Sequence, residues 1–330
     1  MSVNIYDIAK KAGVSSATVS RYINKSGYVG KKTAEKIAAA IEFDHYVPNP
    51  IAQNLSRNTS FRLVGLICCD IEDLYYARAI SVLEKQLKKN DYEIILSCSG
   101  TDVEEKKRCI DMLISKNVEA IIFIGSVFME RSAKIIRDAA KKVPCFIINA
   151  ELTGENVYCV YADERTATET AVTEMINSGK NSPVFLYDVE TYGSKMKSDG
   201  FRDALAKAGK EISKELFIRC ETSLNSAEEA VLALLKEKKC DAVLCSNDLL
   251  ACGVLSAARK LGISVPEQLA VIGHNNSVIA SLTSPLLSSI DNKVTELSEF
   301  TAQNIVNLFS GKQTVKNKKI PFELVRRESF

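Results

Sequence analysis

Only two histidines, His45 and His274, occur in the 330 residues, and none of the ten cysteines forms a CxxC pair. A tetrahedral zinc site needs four such ligands at close spacing, so no metal is expected. The same scarcity leaves His274 as the sole general base for a Ser-His-Asp arrangement, and nothing in the chain frames a nucleophile elbow. No G-x-G-x-x-G follows the first strand-like run, which ends Cys68-Cys69-Asp70, and this argues against dinucleotide binding. Gly27 to Thr33 has the wrong spacing for a phosphate loop and no buried strand before it. No run approaches the ~20 apolar residues that cross a membrane. The opening Met1-Ser2-Val3-Asn4-Ile5-Tyr6-Asp7 lacks a basic stretch leading into an apolar one, so no signal peptide is expected. These absences point away from an enzyme, a cofactor and a membrane, toward a cytoplasmic protein. There, Cys68, Cys98, Cys145, Cys159 and Cys245, all in apolar runs, are expected as buried, reduced thiols.

The chain does have charge asymmetry and two textures. Residues 1–60 carry eight Lys/Arg against four Asp/Glu, whereas the remainder carries 35 against 37. A positive head on a nearly neutral body suits a phosphate-binding module joined to a domain with another task. The head reads as three short helices sharing one core. Ile5, Ile8, Ala9 and Ala12 have helical spacing, Val14, Val19 and Ile23 continue the apolar set, and Ile37, Ala38 and Ile41 form a third face. From Arg62 strands and helices alternate. Strands are expected at 63–67, 92–98, 120–124, 144–148, 183–187, 242–246 and 269–273. Helices are expected at 75–90, 103–116, 130–141, 164–178, 195–208, 226–238 and 247–261. Such repeats predict doubly wound parallel sheets, long enough for two lobes with a ligand cleft beyond the carboxyl ends of their strands.

In the head, a helix at about 5–12 stops at Gly13, Ser15 stands at an N-cap position, and a second helix covers about 16–24. This is the helix-turn-helix arrangement, whose second helix enters the major groove. Ser16 and Ala17 are small enough to let the helix approach base edges, with Ser20 and Arg21 one turn on. Arg21 can reach a guanine bidentately, and Ser15, Thr18 and Asn24 can bond phosphates. Farther on, Asn49 is a good N-cap and Pro50 a good first helical residue, although so short a helix does not hold alone in water.

Ile5-Tyr6-Asp7-Ile8-Ala9 through Val14-Ser15-Ser16-Ala17-Thr18-Val19-Ser20-Arg21, with Asn24, Val29, Thr33, Tyr46-Val47-Pro48-Asn49 and Ala52-Gln53-Asn54-Leu55, resembles the LacI/GalR family of bacterial repressors. The resemblance continues more loosely through Val64-Gly65-Leu66-Ile67, Gly200-Phe201-Arg202, Asn247-Asp248, Gly262-Ile263-Ser264-Val265-Pro266 and the end at Leu324-Val325-Arg326-Arg327. It implies that Tyr6, Ser16, Ala17, Arg21, Asn24 and Tyr28 face DNA, with Ser16 and Ala17 setting base preference. It also implies a hinge helix at 49–57 that forms on DNA and drives Leu55, beside Asn49 and Ala52, into the minor groove as an apolar wedge. Without the resemblance, a linker helix packed on the body remains the alternative.

The implied organisation is a helix-turn-helix domain at 1–48, a hinge and linker at 49–60, and an effector-binding and dimerisation domain at 61–330. That domain is of the periplasmic-binding-protein type, with lobe one at about 61–161 and 292–320 and lobe two at about 162–291 and 321–330. No heptad tail follows the final strand, so a homodimer on a near-palindromic operator is expected. The resemblance places Tyr75, Tyr76, Asn149, Lys197, Asn247 and Asn275 in the effector cleft. The family usually has carboxylates at the positions of Asn149 and Asn275, an arginine at Lys197 and an aromatic at His274. Two lost negative charges beside a retained cation raise tolerance for an anion, so a sugar phosphate or sugar acid is expected as effector. A cleft that answers to a protein co-regulator is the alternative. A solute-binding protein is a more distant one, because it would begin with a signal peptide rather than DNA-binding helices.

Overall fold

A computed structural model describes residues 3–24, 26–46, 62–129 and 132–330. Contacts divide the chain into two compact units, Met1–Arg62 and Leu63–Phe330.

The first unit holds α1 (Ile5–Ala12), α2 (Ser16–Asn24) and α3 (Lys31–Phe43). Asn4 starts α1 through a capping box with Asp7. Gly13 ends it at φ 66°, in the left-handed region that glycine enters without Cβ strain. Ser15 Oγ accepts from the Thr18 amide at 3.2 Å and opens α2. The three helices close on Ile8, Ala9, Ala12, Val19, Ile37 and Ala40. Lys11 pairs with Asp44 at 2.5 Å, and its ammonium lies 3.5 Å from the centroid of the Phe43 ring.

The second unit contains two six-stranded sheets. The first comprises β1 (Arg62–Cys68), β2 (Tyr92–Cys98), β3 (Ala120–Ile124), β4 (Cys145–Ile148), β5 (Val157–Ala162) and a late strand, Asn317–Ile320. Its spatial order is Asn317–Ile320, β5, β4, β3, β1, β2. The helices α4 (Leu74–Lys88), α5 (Val103–Ser115) and α6 (Ala133–Ala140) connect these strands. The second sheet contains β6 (Pro183–Tyr187), β7 (Phe217–Arg219), β8 (Ala242–Cys245), β9 (Ala270–His274), β10 (Ser288–Asp291) and Glu323–Val325. Its connecting helices are α7 (Glu164–Asn177), α8 (Tyr192–Lys207), α9 (Leu224–Lys236) and α10 (Asp248–Lys260). After β10 the chain returns to the first sheet through α11 (Val294–Phe309) and β11 (Asn317–Ile320), then crosses back to end in β12 (Glu323–Val325). β12 pairs antiparallel with β10, and the other recorded pairings are parallel. Each sheet is covered on both faces, which explains the unbroken apolar runs of β3, β4 and β8. Among the described residues no helix is long and apolar enough to cross a membrane.

Two close helix contacts depend on glycine. A Cβ on Gly200 of α8 would lie 2.1 Å from the Arg165 carbonyl oxygen of α7, and one on Gly253 of α10 would lie 2.5 Å from that of Leu224 on α9.

The structure departs from the sequence reading in two respects. The pattern places no element at β5, β7, β10, α11 or β11. β10 is a short strand whose buried residues include Ser288 and Ser289, so hydrophobicity does not mark it. The second departure is Cys98, which is exposed: it ends β2, the edge strand, and its sulfur lies 3.7 Å from that of buried Cys68. Cys68, Cys145, Cys159 and Cys245 are buried, and burial pushes the Cys145 thiol up to about 12.

Candidate functional site: a nucleic-acid face and an interlobe cleft

In the head, α2 buries Val19 and turns Ala17 and Arg21 outward, with Ser16, Thr18 and Ser20 half-exposed. Tyr6 at the start of α1 is 71% exposed and Tyr28 in the turn before α3 is 92% exposed. Large aromatics left this open on a small domain mark a surface made for contact. Arg21 packs its stem beside Gly27, where a Cβ would lie 3.4 Å from Arg21 Cδ. Ser15 and Thr18 hydroxyls bond each other at 2.9 Å. Asn24 is placed differently from the rest: it is nearly buried, and its Nδ2 donates to Ser20 Oγ at 3.1 Å. Its position therefore fixes the end of α2. Asn49, Ala52 and Leu55, with the hinge at 49–60, lie outside the described residues.

In the second unit the carboxyl ends of strands from both sheets converge. Beyond β1 come Asp73, Tyr75 and Tyr76, beyond β3 Gly125 and Ser126, and beyond β4 Asn149. From the other sheet come Asp188 after β6, Ser246 and Asn247 after β8, Asn275 after β9 and Asn292 after β10. Together with Glu164 and Lys197 they line one chamber of about 120 Å³. This is where parallel α/β sheets place ligands, since loops leave the strands there and backbone groups are free to point inward. All six residues expected in the cleft line it. Asn149 and Asn275 have φ of 64° and 90°, a left-handed backbone that asparagine tolerates better than most residues.

The hydrogen bonds show which of these groups are already committed. Asn247 caps α10 through Oδ1 to the Leu250 amide at 2.9 Å and donates Nδ2 to Asp188 at 2.9 Å. Asn149 donates Nδ2 to Glu164 at 3.0 Å and Asn275 accepts from Asn292 at 2.9 Å. Lys197 donates to the Ser246 carbonyl at 2.9 Å. Asp188 accepts from Thr222 Oγ1, Ser246 Oγ, Asn247 Nδ2 and its neighbour's amide. Among the described residues, the chamber's open valences include the Tyr75 hydroxyl and Asn292 Oδ1, both buried without a hydrogen-bond partner. Burial raises the Tyr75 hydroxyl well above its ordinary pKa, so it is a neutral donor and acceptor. Behind the chamber His274 Nε2 lies 2.5 Å from Glu164 Oε2, both fully enclosed. Burial lowers the His274 pKa, against the opposing pull of the Glu164 carboxylate.

Sequence reasoning missed Asp73, Glu164, Asp188 and Asn292. Asp188 follows a predicted strand directly, and the rule for strand carboxyl ends would have found it. The four change the electrostatics. The expected anion tolerance rested on Asn149 and Asn275 replacing carboxylates beside Lys197, but the chamber wall regains Asp73, Glu164 and Asp188. The inner chamber is therefore carboxylate-rich, and the charge count behind an anion seated there does not hold.

Comparison with known proteins bears on both parts. Residues 4–49 match the model of bacterial regulatory proteins of the lacI family, and residues 172–330 match the periplasmic binding protein-like domain. An HTH-type transcriptional regulator of Lachnoclostridium phytofermentans is 34% identical over 331 residues, covering 99% of each chain. The regulator DegA of Bacillus subtilis is 29% identical, covering 100% of this chain and 98% of its own. Among solved structures, a LacI family protein from Silicibacter pomeroyi superposes with a TM-score of 0.84 at 21% identity over 99% of each chain. The lac repressor dimer bound to operator and an anti-inducer gives 0.82 at 22% identity, covering 100% of this chain and 99% of that one. Similar along its whole length to such regulators, the chain belongs to the LacI family of DNA-binding transcriptional regulators, with a helix-turn-helix head and an effector-binding domain of two parallel-sheet lobes.

Proposed function

We propose that this regulator is a repressor that binds a near-palindromic operator as a homodimer and releases or engages it when a hydroxylated small molecule occupies the interlobe chamber. Tyr6, Ser15, Ser16, Ala17, Thr18, Ser20, Arg21, Asn24 and Tyr28 form the major-groove and phosphate face, and Asn49, Ala52 and Leu55 the minor-groove probe. The observation that carries the effector assignment is the convergence of both sheets on one chamber with buried polar atoms lacking partners. A sugar hydroxyl both donates and accepts, and so satisfies Tyr75 Oη and Asn292 Oδ1 together. Neighbours of the same fold hold cellobiose in one case and ribose in another, which supports a sugar-like ligand. The buried end of that ligand is uncharged. Ligand binding across the two lobes changes their mutual orientation, and this is the means by which the cleft addresses the head.

The test begins by selecting operators from a random DNA library with the full chain. Enriched sites are expected to be inverted repeats. Arg21→Ala is expected to weaken binding to them roughly ten- to a hundred-fold in fluorescence anisotropy, the value of one bidentate guanine contact. Enriched sites without two-fold symmetry, or an unchanged Arg21→Ala affinity, would refute the assignment of α2 to the groove.

A further inference from the structure

The interlobe opening does not end at the inner chamber. It continues outward into a groove of about 930 Å³ that shares Ser126, Val127 and Thr191 with it. The two compartments differ in sign. Carboxylates dominate the chamber wall, whereas Lys106, Lys195, Arg202 and Arg219 line the groove against Asp102 and Glu190.

The groove also contains buried polar groups whose hydrogen-bonding capacity is unfilled. Lys106 on α5 is 3% exposed, and its ammonium donates to the Val127 carbonyl at 2.8 Å. An ammonium has three donors, and this one spends one on a carbonyl and lies 5.1 Å from the centroid of the Phe128 ring, which leaves donors for a further partner. Ser132, 1% exposed, stands at the N-cap of α6, makes no side-chain cap bond, and its hydroxyl has no hydrogen-bond partner among the described residues. Ser132 and Lys106 thus bring a hydroxyl and a buried cation to the wall of one groove, donors of the kind that hold an anion. Across the groove, on the second lobe, Arg219 donates to the Asp188 carbonyl at 3.2 Å and lies 3.4 Å from Glu190, and Lys195 is exposed.

We propose that the outer groove is a second subsite, for an anionic group of the phosphate class, held between Lys106 and Ser132 of the first lobe and Lys195 and Arg219 of the second. The inference rests on the reading of the inner chamber as the effector site and extends that site outward. Cations on facing walls repel when the groove is empty, and an anion between them draws the lobes together. The anion therefore favours the closed form, whether it is the charged end of an effector whose hydroxylated end fills the chamber or a separate ion.

The experiment is calorimetric titration of the full chain with inorganic phosphate, against sodium chloride at matched ionic strength. Saturable binding is expected, weakened roughly tenfold by Lys106→Met and by Arg219→Gln, the loss of one charge-assisted bond each. Lys88→Met, on the exposed side of α4, is expected to leave it within about twofold. Arg219 is largely exposed, so its variant keeps the test sound if Lys106→Met does not fold. Heat that never saturates and follows ionic strength alone means an adventitious ion only and overturns the proposal. So does saturable binding that both groove variants leave unchanged. Ribose, ribose 5-phosphate, cellobiose and cellobiose 6-phosphate then separate the sources. A sugar phosphate that displaces phosphate and binds tighter than its parent sugar marks the anion as the effector's own. Phosphate binding undisturbed by all four marks a separate ion, and both results uphold the subsite. The chamber reading is tested separately, by the response of operator affinity to neutral sugars, so the two can fail independently.

Discussion

Asp188→Asn separates a structural from a ligand-binding role for the chamber's most heavily bonded carboxylate. Its Oδ1 accepts from the Val189 amide and Ser246 Oγ at 2.9 and 3.0 Å, and its Oδ2 from Asn247 Nδ2 and Thr222 Oγ1 at 2.9 and 3.0 Å. An asparagine keeps the first pair and turns an NH₂ toward the second. The Thr222 hydroxyl can reverse and accept. Asn247 cannot, because its own oxygen caps α10, and flipping the amide would break the bond to Leu250. One buried donor is left facing another, at about 1–3 kcal/mol, and forcing the flip instead costs a cap worth about 1 kcal/mol. The expected loss is therefore about 2–3 kcal/mol. Urea unfolding followed by circular dichroism measures it. The decisive variant is the exchanged pair, Asp188→Asn with Asn247→Asp. The new carboxylate at 247 both caps α10 and accepts from the amide at 188, so the pair should recover more than half of the loss. If the double variant is no more stable than the sum of the singles, or the single variant costs nothing, the assigned hydrogen-bond network is wrong.

Three further outcomes follow from other parts of the molecule. Gly200→Ala places a methyl 2.1 Å from a backbone oxygen of α7, which cannot yield without moving the helix, so a loss of at least about 2 kcal/mol in the same unfolding assay is expected. His274 has a lowered pKa in the folded state, so below the ordinary value of 6.5 the unfolded chain binds the proton that the fold refuses, and stability falls as pH drops below about 6.5. His274→Gln should flatten that limb of a thermal-melting pH series, and an unchanged slope would show that the imidazole is protonated in the fold. Ser15→Ala removes the cap of α2 and should cost the head about 1 kcal/mol. That cost is checked by whether the Arg21-dependent operator affinity falls while the melting of the second unit stays put.

The head was legible because its physics is local. Ser15 as cap, Gly13 as stop and apolar residues three and four apart fix three helices without reference to anything distant. The base-reading candidates follow from which face remains. The second unit's first nine strands and helices to residue 273 were mostly readable for a similar reason: a strand buried on both faces is apolar throughout, and a helix between two such strands has one choice of side. β10 escaped because Ser288 and Ser289 are buried by hydrogen bonds to Ser329, Phe330 and Asp248, not by hydrophobicity. No local pattern carries that information.

The sequence by itself determined the class of the protein, its helix-turn-helix head and the loops from which a ligand site would be made. Tertiary structure decided what that site is. Asp73, Glu164 and Asp188 lie far apart along the chain and reach one chamber because β1, β5 and β6 end there. Charge is a sum over whatever the fold brings within a few ångströms. Two missing carboxylates at Asn149 and Asn275 therefore could not give the sign of a cleft whose other walls come from elsewhere. The two histidines singled out at the start for their scarcity divide in the same way. His274 is fully enclosed against Glu164, a placement that composition could neither require nor forbid.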